Sequence, residues 1–361
     1  MSIHHRPGVS PALKPNLDEA VRRWEAYFHG DMIDRPIVVL TAPLPGTGSL
    51  PPAPSYRQRA SGDIDAMIDA VLARAEATYY AGESMPAFFP SFGPDECAVF
   101  CGADLRWSND SGDTNWSVPC VTNWDDVLPL RLHTESPLWQ RMIAIYRRCA
   151  ERLAGKMLLM EPDLHTNMDL LAALRGPQQL CLDLIDMPET IDRAMMSARA
   201  IFPELWRAVT DAGKMYERGF YHSMYSPRGC AMLQCDFSAM IGPAMFRRWV
   251  LPALEEEAAL VHDVYYHWDG PDALKHLPDL VASKGLYTLA YVVGDGHGSH
   301  VDYLHITKKC QEGGKAVSVY GTPDELKIMH KELRPEKTVY HTSVKTPDEA
   351  DALLEWFVKN T

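Results

Sequence analysis

Two stretches near the C-terminus carry the same local instruction. Thr322-Pro323-Asp324-Glu325 follows the apolar run Ala316–Tyr320 and opens a helical pattern through Leu326 and Met329. Thr346-Pro347-Asp348-Glu349 follows Thr338–His341 and opens another through Leu353, Trp356 and Phe357. Each puts Thr at the N-cap, Pro at the first helical position and Glu three residues after the cap, so that side-chain oxygens meet the unsatisfied N–H groups of the first turn. Strand, short loop and capped helix, repeated, build parallel β/α units.

Short apolar runs of this kind recur. Eight strands are expected near residues 37–41, 87–92, 157–161, 232–236, 264–268, 287–293, 316–320 and 338–341, with helical spacing between them. Their continuous apolar character marks strands buried on both faces. The expected fold is α/β, a (β/α)₈ TIM-type barrel over residues 35–361, preceded by an arm and helix over 1–34, with Asn16 and Glu19 capping that helix. An open doubly wound sheet is the runner-up. Helices are also expected over about 64–80, 137–154 and 188–217. A long inserted region, Gly102 to Pro129, holds Trp107, Trp116 and Trp124. It reads either as a lid or binding loop or as an extra hairpin packing its own tryptophans.

Thirty-five basic residues against 48 acidic ones give a net charge of −13, which argues against nucleic acid or an anionic membrane as partner. No apolar run reaches the ~20 residues of a membrane helix, and the first residues lack the apolar centre of a secretory signal. A cytoplasmic protein is expected. The eight cysteines include no Cys-x-x-Cys and suggest buried thiols rather than a disulfide framework. Neither a Gly-x-Gly-x-x-Gly after an early strand nor a Gly-x-x-x-x-Gly-Lys-Ser/Thr is present, which weakens dinucleotide and nucleotide-phosphate binding.

The strand bodies are apolar, and their carboxyl ends carry Asp, His and Cys. These are Glu161, Asp163 and His165; Cys235 and Asp236; His267 and Asp269; Asp295 and His297; and His341. In a barrel this is the functional face. Within Asp263–Pro271, His267 and Asp269 lie two apart and so share a face of the strand. Bland readings stand beside these. His267 can be a satisfied core histidine, Cys235 a structural thiol, Asp163 and His165 a helix cap, and Asp295 and His297 a turn. The functional reading assigns His267, Asp269, Asp236 and Asp163 to catalysis. It assigns His165, Trp107, Trp116 and His297 to substrate, and Cys235, His267 and His341 to a metal. Thiolate and imidazole together suit Zn²⁺, and Asp269 would be a fourth ligand or would orient an imidazole.

Several segments resemble the uroporphyrinogen decarboxylase superfamily, in the branch related to cobalamin-dependent methyltransferases. They are Asp169–Gly176, Asp183–Glu189, Cys235–Phe246, Val250–Pro252, Tyr266–Pro271 and the Gly321–Glu325 helix start, in consistent order over residues 155–357. The resemblance implies a (β/α)₈ barrel. In the methyltransferase branch a His-x-Cys-Gly segment and a late Cys hold a zinc that activates a thiol, and the methyl group travels on a corrinoid carried by a partner protein. Here the segment is His267-Trp268-Asp269-Gly270, so the histidine is kept and aspartate replaces cysteine. Val339-Tyr340-His341 holds the nearest candidate for the late ligand. The decarboxylase branch uses an Arg-Gln-Ala-Gly-Arg loop. Arg35-Pro36-Ile37 is followed here by Thr41-Ala42-Pro43 without that motif, so porphyrinogen decarboxylation is not expected.

The function expected is therefore that of a zinc-dependent methyltransferase of the corrinoid-associated type acting on a small methylated or polar compound. The alternatives are a metal-free lyase or hydrolase acting on a small acid or sugar, and a barrel that only binds a small ligand. Expected partners are a small-molecule substrate, a cobalamin-bearing protein and a second copy of the chain in a homodimer.

Overall fold

The computed structural model describes residues 7–107 and 114–361. In chain order its strands are β1 (Ile37–Pro43), β2 (Thr78–Gly82), β3 (Ala87–Phe88), β4 (Asp104–Trp107), β5 (Asn115–Val118), β6 (Leu158–Leu159), β7 (Phe220–Tyr221), β8 (Tyr225–Ser226), β9 (Cys230–Gln234), β10 (Asp263–Asp269), β11 (Thr288–Val292), β12 (Ala316–Tyr320) and β13 (Thr338–Ser343). Every apolar run expected to be a strand contains one.

The central sheet has the order β2-β1-β13-β12-β11-β10-β9. Six of its strands are parallel, and β2 joins β1 antiparallel. Among the described residues β3 and β6 pair only with each other, also parallel. The closed eight-strand ring expected from the sequence is thus not what the backbone hydrogen bonds form: the sheet is open. Side chains occupy both places where a closed ring would continue. At one edge β2 covers β1, and Glu83 Oε2 accepts the Val38 N–H at 2.9 Å. At the other, Glu161 Oε1 accepts the Met232 N–H of β9 at 2.7 Å. β3 is held to two residues between Pro86 and Pro90, each lacking the N–H that would extend a ladder.

Helices Leu251–Val261, Leu277–Ala282, Leu304–Glu312 and Pro323–His330 carry the crossovers from β9 through to β13. The last begins with the expected capping box: Thr322 Oγ1 accepts from Glu325 N, and Glu325 Oε2 accepts from Thr322 N. At Pro347–Asn360 the cap bond from Glu349 N to Thr346 forms, but the Glu349 carboxylate accepts from Lys345 N instead. Helix Leu17–Phe28 starts where expected, yet the Asn16 side chain makes no cap bond. That helix is fixed by Trp24, whose Nε1 donates to Glu83 O at 3.1 Å.

Within the inserted region β4 and β5 pair antiparallel. Of its tryptophans, Trp124 is buried and donates to Asp183 Oδ2 at 2.8 Å. The helix expected over 64–80 ends at Glu76, and Thr78 starts β2. Among the described residues no helix is long and apolar enough to cross a membrane.

Candidate metal centre and substrate cleft

β10 ends in Asp269 and Gly270, where a φ of +77° turns the chain sharply in a conformation that glycine adopts without strain. His267 and Asp269 point to one face of β10. Trp268 points to the other, where it is buried, donates to Ala273 O at 2.9 Å and stacks edge-on against Tyr291. Beyond β9, the turn Asp236–Met240 folds back over this edge. His276 Nε2 bonds Ser238 O at 2.8 Å and its ring stacks on Phe246 at 4.3 Å, which ties that turn to the segment after β10.

The result is a cluster. One ligand atom each of Asp236, His267 and Asp269 lies within 4.8 Å of the other two. Burial lowers the His267 pKa, with Asp269 acting against it, so the ring is held neutral and free to offer a lone pair. Burial and the neighbouring Asp169 carboxylate push Asp236 up to about 7. The Asp236 side chain is 42 % exposed, yet its Oδ1 is buried and bonds no group. Two carboxylates and an imidazole crowded together, one carboxylate oxygen left unbonded, form an arrangement that a divalent cation would neutralise.

Around the cluster runs a second layer. Asp169, buried on helix Asn167–Arg175, accepts from Asp236 N and Phe237 N. His165 lies 3.4 Å from Asp163 Oδ1, 3.5 Å from Asp169 Oδ2 and 3.9 Å from Asp236 Oδ2. Burial pulls the His165 imidazole down, but the Asp163 and Asp169 carboxylates outweigh it and hold its pKa well above the ordinary value. Burial opposes ionisation of Asp163 as well, and its bonds to His165 and Gln234 prevail to leave it below the usual range. Gln234 Nε2 donates to Asp163 Oδ1 at 2.7 Å. Beneath them Glu96, fully buried, accepts the N–H groups of Phe92 and Asp163, each at 2.8 Å.

A cleft of about 580 Å³ opens onto this layer. His165, Asp169 and Asp236 stand at its inner end, and Trp116, Phe237 and Met240 form apolar wall. Trp116, on β5, is 46 % exposed.

The sequence named Asp236, His267 and Asp269, and the fold assembles them. It gathers Asp163 and His165 beside them and puts Trp116 on the cleft. It places the other named residues elsewhere. Cys235 lies outside the three-residue group; burial and the Asp169 and Asp236 carboxylates push its thiol well up. His341 on β13 stacks on Tyr320 at 4.4 Å, and burial takes its pKa down to about 3. Among the described residues the group that could hold a metal ion is Asp236, His267 and Asp269, which shares His267 with the expected ligand set Cys235, His267 and His341. Trp107 lies under the Arg57 guanidinium at 5.6 Å, in a separate surface hollow with Arg106 and Leu138. His297 is exposed in the glycine-rich turn after β11. Sequence reading did not name Glu96, Asp169 or His222 as site residues. They sit on helices or in a hairpin turn, and only their burial against the site distinguishes them.

No protein-family model matches the chain, and no curated protein matches it in sequence. Its fold is similar to a solved structure. That structure is a methyltransferase from Methanosarcina mazei, at a TM-score of 0.63 and 13% identity, covering 94% of this chain and 98% of that one. At that identity the likeness speaks for the fold.

Proposed function

We propose that this chain is a metal-dependent methyltransferase, with zinc the expected ion, acting on a small molecule at the C-terminal edge of the sheet. The observation that carries the reading is the convergence of Asp236, His267 and Asp269 within 4.8 Å. The likeness in fold to the Methanosarcina mazei methyltransferase supports it. In the same reading the six parallel sheet strands and the β3–β6 pair are the staves of a TIM-type barrel opened at two places.

The residues fit such an ion. Zinc takes imidazole nitrogen and carboxylate oxygen, and a catalytic site keeps a coordination position for substrate beside three protein ligands. Asp236, His267 and Asp269 would hold the ion. When bound, it supplies Lewis acidity to a substrate heteroatom and lowers that atom's pKa. The chain's own residues do the rest. Asp169 fixes the backbone of Asp236 and Phe237. His165, kept protonated by Asp163 and Asp169, holds a proton beside Asp236. It can pass that proton to a heteroatom that loses a methyl group. Trp116, Phe237 and Met240 give the cleft an apolar wall against which a substrate body can pack. A corrinoid on a partner protein is the methyl carrier in this proposal.

Metal analysis and titration calorimetry on untagged protein test it. About one equivalent of zinc per chain is expected in the native protein and none in His267→Ala; equal zinc in both would remove the metal from the reading. Methyl transfer from a methylated substrate to cob(I)alamin, followed as methylcobalamin formed, tests the reaction. A second reading, a metal-free lyase or hydrolase, rests on His165 standing among Asp163, Asp169 and Asp236. Activity unaffected by a chelator would favour it.

A further inference from the structure

A second group of polar side chains, all buried except Tyr320, which is 37 % exposed, connects the central sheet with the ends of β3 and β6. Tyr265 precedes His267 by two residues on the same face of β10, so the group adjoins the metal triad. Its hydroxyl meets that of Tyr320 at 2.5 Å and adjoins Ser318. Tyr320 stacks on His341, their planes 17° apart. On the other side of Tyr265 the His222 ring stacks at 6.4 Å, with Phe89 set edge-on against it. His222 Nδ1 lies 2.6 Å from Glu161 Oε1. The group thus draws on the ends of β3 and β6, the β7–β8 turn, and β10, β12 and β13.

Apart from His222 Nδ1, which faces Glu161 Oε1 without a well-directed hydrogen bond, three of its polar atoms have no hydrogen-bond partner: Glu161 Oε2, Ser318 Oγ and His341 Nε2. Their residues are 1 %, 1 % and 7 % exposed. A buried polar atom left unpaired is destabilising, so such atoms in a folded protein meet ordered water or a ligand. Three of them around one set of aromatic faces, beside a candidate metal centre, mark a place built to receive something.

We infer that Glu161, Ser318, Tyr320 and His341 line a subsite for an uncharged, hydrogen-bonding group on a flat, apolar body, such as a hydroxyl or ether oxygen on an aromatic ring. Charge selects this class. Glu161 is matched by His222, whose imidazole burial disfavours but the carboxylate keeps above its ordinary pKa. His341 is held neutral by burial, with His300 adding to the effect. Tyr265, Tyr320 and Ser318 contribute hydroxyls. The subsite therefore holds no free cation for an anion and no free carboxylate charge for a cation, and either would lose its hydration without a counter-charge. Donors and acceptors are both present, which suits a hydroxyl or an ether, and the flat stack of Tyr320 on His341 suits a ring laid against its outer side. Only the purpose assigned to the subsite, holding the methyl donor or acceptor near the metal, rests on the proposed function. Occupancy does not.

Phenol is the probe, titrated by calorimetry and ligand-observed NMR into the metal-free full chain. Benzoate and phenyltrimethylammonium are the charged controls. Saturable phenol binding is expected, at least tenfold tighter than either control. It should weaken about tenfold in His341→Phe, which keeps a flat ring but removes Nε2, and severalfold in Ser318→Ala, which stands in if His341→Phe does not fold. His267→Ala should lose zinc and keep phenol, separating the subsite from the metal reading. Absence of phenol binding, equal binding of benzoate, or unchanged affinity in the folded variants would each overturn the assignment.

Discussion

Asp169 receives the backbone N–H of Asp236 at 3.0 Å and that of Phe237 at 2.8 Å, while its Oδ2 lies 3.5 Å from His165 Nδ1. One buried carboxylate thus sets the position of a candidate metal ligand and the charge of the imidazole next to it. Groups that orient a ligand from behind are worth about 10- to 100-fold in metal affinity. Asp169→Ala is expected to weaken zinc binding by that much, measured by calorimetry. Asp169→Asn, which keeps one acceptor, should fall between. Native affinity in Asp169→Ala would show that Asp236 finds its place without help.

Glu96 makes stability depend on pH. Burial pushes its carboxyl up to about 8, against an ordinary value of 4.5. Below 4.5 both folded and unfolded chains carry the proton, and the folded state loses nothing. Between 4.5 and about 8 the unfolded chain gives the proton up while the folded chain retains it. Stability therefore falls as pH rises through this window, by up to about 1.4 kcal/mol per pH unit from this group. Above about 8 the loss is complete. Denaturant unfolding at several pH values should show a shallower slope in Glu96→Gln across the window, whatever its stability at any single pH. An identical slope would mean that Glu96 ionises normally.

The strands were legible because their apolar runs are continuous and bounded by Gly, Pro or polar residues. β2 was not, since Thr78-Tyr79-Tyr80 continues the helical spacing of the helix before it. Closure of the sheet was misread for a related reason. Glu161 and Glu83 take over backbone N–H groups of β9 and β1, and no local pattern announces that a side chain replaces a strand. At the site, His267 and Asp269 could be paired from strand alternation alone. Asp236 joins them rather than Cys235, its neighbour by one residue, because the chain turns after Gln234. His341 also lies at a strand end, but on β13, stacked on Tyr320 and outside the three-residue group. Glu96 and Asp169 look in sequence like ordinary first-turn helix carboxylates, and only the packing shows that both face inward.

Arg35 and Glu83 hold the edge of the sheet together. The guanidinium grips the carboxylate through both Nη atoms, at 2.6 and 2.8 Å, and the same carboxylate accepts from Val38 N. Both side chains are buried. Removing one partner of such a pair leaves an uncompensated buried charge and costs about 3–5 kcal/mol. Arg35→Met is expected to lower unfolding stability by that amount in urea titrations at neutral pH. Because Arg23 Nη1 lies only 3.5 Å from Glu83 Oε1, the loss should shrink if Arg23 moves in to compensate. The double variant Arg23→Met/Arg35→Met would then be less stable than the two single losses added together.

Trp116 offers a way to separate the cleft from the metal. It lies on β5 in the cleft wall, 46 % exposed, and its indole is not a metal ligand. In the proposed reaction it covers substrate without meeting the reacting atoms. A contact that is equal in ground and transition states changes KM and leaves kcat alone. Trp116→Ala is therefore expected to raise KM roughly tenfold, with kcat within about a factor of two and zinc content unchanged. Trp116→Phe should restore most of the binding, since a ring still lines the wall. A fall in kcat with KM preserved would place Trp116 instead among the groups that act on the transition state.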